Sequence, residues 1–154
     1  MGTTFVSMTE STSEGEIGFW MRDSILELWL RLLALHIPEP TSDLEMVYKI
    51  RNSWLLASRG CFQGCVPHDL SQATATPVGL QVVKEAISSL MDALADAPAL
   101  LNGPTLNLLG IDGAFHGEFE TARLIEVGRA FEDLLAGKLT CTVESTDWMP
   151  GSPQ

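Results

Sequence analysis

Apolar residues recur at helical spacing in four stretches of the chain. Met21, Ile25, Leu28, Leu32 and Leu35 fall every three or four positions, which predicts a helix from about Glu16 to His36, stopped by Pro38 and Pro40. Trp20, Leu26, Trp29, Leu30 and Leu33 widen that stripe to most of the circumference, as expected of a helix at the centre of a fold. Glu27 and Arg31 occupy the remaining polar strip at i,i+4 spacing and predict a surface ion pair. Ser42 and Glu45 form a capping box that opens a second helix. It buries Val47, Ile50, Trp54 and Ala57, pairs Glu45 with Lys49, and ends at Gly60. Thr76 and Pro77 open a third helix, with Val83, Ile87, Leu90 and Leu94 inward and Pro98 beyond its end. The fourth runs from about Glu118 to Ala136, with Leu124, Val127, Phe131, Leu134 and Leu135 inward and Gly137 as its stop. Between the last two, Ala99–Leu101 and Leu106–Ile111 are apolar pieces punctuated by Gly and Asn, which predicts a short helix in a long connection.

Strand signal is nearly absent. "KLTCTVEST", from Lys138, alternates in the manner of a short strand, with no sheet for it to join. The expected fold is therefore all-α: a single-domain bundle of four long helices plus a short one, with a short C-terminal strand. Residues 1–15, rich in Ser, Thr, Gly and Glu, read as a flexible leader, 16–147 as the helical domain and 148–154 as a loose tail. The 154 residues suffice for one domain with its own core.

Charge changes the picture more than size does. Nine Lys and Arg face twenty Asp and Glu, a net charge of −11. Such a surface repels phosphate backbones and anionic membrane faces, which argues against nucleic-acid and membrane binding and suits a basic protein partner. The longest apolar run, "ILELWLRLLALHI", is too short to span a bilayer, and the opening residues lack the basic and apolar regions of a signal peptide. Three cysteines without framework spacing point to a reducing compartment. The expected location is the cytoplasm.

"RGCFQGCVPHD", residues 59–69, is the stretch richest in chemical side chains. Cys61, Cys65 and His68 are three zinc-type ligands at close spacing, one short of a structural site. The helix ends before Cys61, so its dipole has the wrong sign to stabilise a thiolate. The structural reading makes Cys61, Phe62, Cys65 and Val66 apolar plugs in a loop turned by Gly60, Gly64 and Pro67. His116–Gly117–Glu118 matches the His-x-Glu of zinc deaminases, but no Pro-Cys-x-x-Cys follows it, and helix capping is the better reading. No phosphate loop, His-Glu-x-x-His or Gly-x-Ser-x-Gly is present. The densest acidic region is the last third, where Asp112, Glu118, Glu120, Glu126, Glu132, Asp133 and Asp147 accompany Trp148. These acids with an aromatic anchor are the candidate partner-binding surface, and pairing of Arg129 with Glu126 and Asp133 would leave the rest solvated.

In size, acidity and helicity the whole chain resembles the immunity proteins of bacterial toxin–immunity pairs. That resemblance implies an inhibitor that binds one cognate toxin, often a basic nuclease, and occludes its active site without a cofactor. It carries over no individual residue, and phage-encoded inhibitors share the profile. The alternative is a helical enzyme or small-ligand or metal protein using the 60–76 loop with Cys61, Cys65 and His68. A third reading makes the apolar flank of the first helix the face of a homodimer.

Overall fold

The computed structural model describes residues 2–10, 13–37, 45–109 and 115–153. Pro38, Pro40, Ser42 and Asp112 lie outside the described residues, and with them the Ser42 half of the capping box.

The all-α expectation is overturned: among the described residues six helices are accompanied by two small antiparallel sheets. Within the segment 1–15, Thr3–Val6 form β1, which pairs with β2 (Phe19–Arg22) in the register Thr3↔Arg22 to Val6↔Phe19. β2 occupies positions that the periodicity assigns to the first helix. Phe19 and Met21 are buried while Trp20 and Arg22 are half-buried, so the alternation is that of a strand. A helical stripe and a strand face overlap at Met21, and local spacing alone does not separate them. The partner decides: Thr3, Thr4, Phe5 and Val6 are good strand formers with three buried side chains, and Gly18 permits close approach of the Val6 carbonyl.

α1 (Asp23–Leu35) therefore starts seven positions later than the expected Glu16, directly from β2. It is the central helix, with Ile25, Leu26, Leu28, Trp29, Leu30, Leu33 and Ala34 buried, while Leu35 faces solvent. α2 (Glu45–Ala57) packs most extensively on α1 and buries the expected Val47, Ile50, Trp54 and Ala57. Gly60, at φ 79°, makes the left-handed turn after it. A short α3 (Leu70–Ala73) leads to α4 (Pro77–Asp96). Thr76 caps α4 as its sequence predicts, its Oγ1 accepting from the Gly79 N–H at 3.1 Å.

The second sheet pairs β3 (Leu100–Asn102) with β4 (Glu118–Glu120), with the short α5 (Gly103–Leu108) between them. Here too the first turn of an expected helix is a strand, and α6 is confined to Thr121–Leu135. The Thr121 hydroxyl donates to the Pro98 carbonyl and its N–H to Ala99 O at 2.9 Å, fixing where strand becomes helix. α6 packs on α4 at Gly128, where a β-carbon would collide with Met91 Sδ. The expected C-terminal strand is reduced to one bridge, Ile17↔Thr142, flanked by Val143 N–H to Glu16 O at 2.9 Å. Phe19, Trp29 and Phe131 join β2, α1 and α6, each neighbouring ring pair 5.5 Å apart. Among the described residues no helix is long and apolar enough to cross a membrane.

Candidate functional site

The expected acidic surface divides into three parts. On β4, Glu118 and Glu120 flank the buried Phe119, and strand alternation turns both carboxylates outward. On α6, Glu132 and Asp133 are exposed and Glu126 is half-buried. Two turns of helix, about 10 Å, separate Glu126 from that pair. In the C-terminal segment, Asp147 is exposed, and Trp148 donates from Nε1 to Glu126 Oε1 at 2.9 Å. The Trp148 ring packs 5.9 Å from that of Phe19, and the Gly151 carbonyl accepts from Arg123 Nε at 2.6 Å. The segment 148–153 is thus laid against α6.

Glu120 and Glu126 line a groove of about 310 Å³ with Arg123 and Ser152. The Arg123 guanidinium sits 4.1 Å over the Phe119 ring. Burial lowers its pKa, and the nearby charges of Glu120 and Glu126 oppose that shift. Elsewhere among the described residues the acids form few ion pairs. Neither Glu27–Arg31 nor the expected pairs of Arg129 form, and the only ion pair among the described residues is Lys49–Glu45 on α2, at 3.4 Å.

The 60–69 loop holds its histidine in a structural role. The Leu70 N–H donates to His68 Nδ1 at 3.2 Å, so Nδ1 is an acceptor and Nε2–H donates to Phe5 O at 3.1 Å. Both ring nitrogens are occupied in the neutral form. Burial lowers the His68 pKa, against the opposing effects of the Phe5 carbonyl and Asp69. Trp54 Nε1 donates to His68 O at 2.9 Å, and Ser53 to Asp69 Oδ2 at 2.7 Å, strapping the loop to α2. Cys65 and His68 share a cleft of about 430 Å³ with Phe5 and Trp20, but His68 has no free nitrogen to act as base or ligand. Cys61 and Cys65 are exposed free thiols. Among the described residues no group of three His, Cys, Asp or Glu is placed to hold a metal ion.

A different pair of side chains is the more unusual feature. Asp23 and Glu27, one turn apart on α1, are 7% and 5% exposed. Asp23 Oδ1 accepts from the Thr4 hydroxyl and Oδ2 from the Gly64 N–H, both at 2.7 Å. Thr4 Oγ1 in turn accepts from the Val66 N–H at 2.9 Å. This carboxylate ties β1, α1 and the loop together. Glu27 has no hydrogen-bond partner among the described residues, and burial, reinforced by the Asp23 charge, raises its pKa from 4.5 to about 7. The two acids line a pocket of about 160 Å³ with Arg22, Ser24, Gly60, Phe62 and Gln63. The sequence carries a signal for this: in "DSILELWLRLL" Glu27 is set among leucines, on a helix apolar around most of its circumference. Arg31 at i+4 gives Glu27 the spacing of an exposed ion pair, which masks that signal.

The raised pKa makes a stability prediction. Between pH 4.5 and about 7 the folded chain keeps a proton on Glu27 that the unfolded chain has released. This contribution is full below the lower value and is lost as pH rises through the upper one. The loss is roughly 2 kcal/mol, allowing for solvent at the pocket mouth. Urea unfolding from about pH 5 to about pH 8 should show the decline in the wild type and a flattened profile in Glu27→Gln.

Comparison with protein-family models, curated protein sequences and solved structures returned no match.

Proposed function

We propose that the protein is a cytoplasmic inhibitor of the immunity-protein kind, which binds a basic toxin or nuclease through its acidic face and blocks it by occlusion. The observation that carries this reading is uncompensated charge. Glu118, Glu132, Asp133 and Asp147 are exposed, while the only ion pair among the described residues lies on α2. Carboxylates without intramolecular cations keep their full field for a basic surface, speeding encounter and favouring the correct partner. Trp148 supports the same reading. Held by Glu126 and Phe19, it would lose little rotamer freedom when a partner covers it.

The test is affinity capture from the source organism's lysate, eluted along a salt gradient. Wild type is compared with the variant Glu118→Gln, Glu120→Gln, Glu132→Gln and Asp133→Asn combined. An inhibitor should retain one stoichiometric basic protein, bound at least about tenfold more weakly by the variant. Coexpression should protect cells from that protein. Substoichiometric capture of many basic proteins, or equal capture by wild type and variant, would overturn the reading.

A further inference from the structure

We propose that the pocket beside Glu27 is a binding site for a guanidinium or alkylammonium group. Of the two buried carboxylates among the described residues, Asp23 has both oxygens engaged and Glu27 has neither. The Glu27 side chain is mostly covered while its unpartnered oxygens open onto the pocket, so the carboxylate is partly desolvated at a cost and still within reach of a ligand. Glu27 is aimed at the loop: its Oε2 lies 3.9 Å from where a β-carbon on Gly60 would stand. Gly60, already required for the turn after α2, leaves that approach open.

The lining selects the class of occupant. Glu27 supplies the negative charge, with Asp23 behind it, and Ser24 and Gln63 offer neutral acceptors. Phe62 adds an apolar wall on which a planar cation can stack. A divalent metal ion is a poor match, because it takes several oxygens and only one carboxylate here has both of its own free. A nitrogen cation needs a single charge-assisted carboxylate contact and a few neutral acceptors. The chain's own cations do not fill the place. Arg22 also lines the pocket and acts electrostatically on Arg123, and Arg31, a turn along α1, is directed to the Ser58 carbonyl at 3.5 Å. Neither forms an ion pair with Glu27. The facing loop residues Gly60, Phe62 and Gln63 carry no charge.

This site does not depend on the inhibitor reading, and it is tested on the isolated chain. Methylguanidinium and methylammonium would be titrated while the amide resonances of Ser24, Gly60, Phe62 and Gln63 are followed. Saturable shifts are expected, with a dissociation constant on the order of 1–10 mM. Glu27→Gln keeps the shape and removes a buried charge, so the fold should persist, with affinity lowered at least about tenfold. In the wild type the affinity should also fall from about pH 8 to about pH 6, as protons compete for Glu27. Blocked arginine, Nα-acetylarginine methylamide, separates the two sources of such a group. Binding at least as tight as methylguanidinium identifies a protein side chain as occupant, whereas its exclusion while the free cations bind identifies a small amine. No saturable shift with either free cation, or equal affinity in Glu27→Gln, would overturn the proposal.

Discussion

Trp54→Ala should destabilise the protein by about 3–5 kcal/mol, a large fraction of the stability of a typical domain. The side chain is fully buried on the inner face of α2, between the helix and the loop that follows it. Truncation leaves a cavity that α2 and the loop can only partly close, and it removes the hydrogen bond from Nε1 to His68 O. Trp54→Phe separates the two effects: it restores most of the volume without the donor, and should cost only about 1–2 kcal/mol. Urea denaturation of the three proteins measures both steps. A loss below about 1 kcal/mol for Trp54→Ala would mean that α2 does not anchor the loop.

Asp23→Ala should cost about 2–4 kcal/mol, although it removes only one small acidic side chain. The cost arises in the partners left behind. The Gly64 N–H loses its acceptor, and the Thr4 hydroxyl, which also receives the Val66 N–H, loses the group that oriented it. β1 and the loop are then held to α1 by less. One effect opposes the loss, since removing the Asp23 charge eases the ionisation of Glu27. A double-mutant cycle with Thr4→Val should give a coupling of about 1–2 kcal/mol. Faster hydrogen exchange at Gly64 and Val66 would report the same release. Additive losses would show that Asp23 and Thr4 act separately.

These two residues also mark where local reading of the chain succeeds and where it stops. Trp54 was legible as core, because Val47, Ile50, Trp54 and Ala57 repeat within a single helix. Asp23 and Glu27 were not, because their burial comes from β1 and the 60–64 loop, which fold over the start of α1 from distant positions. Glu27 with Arg31 at i+4 has the spacing of an exposed pair, and spacing holds no information about what covers it. The acidic surface was legible as composition. Its division among β4, α6 and the C-terminal segment was not, and neither was the anchoring of Trp148 by Glu126.

The helical stretches of α2, α4 and α6, the Thr76 cap and the turn at Gly60 follow from the chain locally, since each rests on contacts within about four residues. Net charge likewise follows from residue counts alone. Strand against helix at Phe19–Arg22 and Glu118–Glu120 was settled only by distant partners, β1 and β3, because a strand's backbone groups are satisfied across the sheet rather than along the chain. The same physics leaves Glu27 without a partner. Much of its solvent is displaced by segments far away in sequence, and no local rule places a hydrogen-bond donor or a cation beside it.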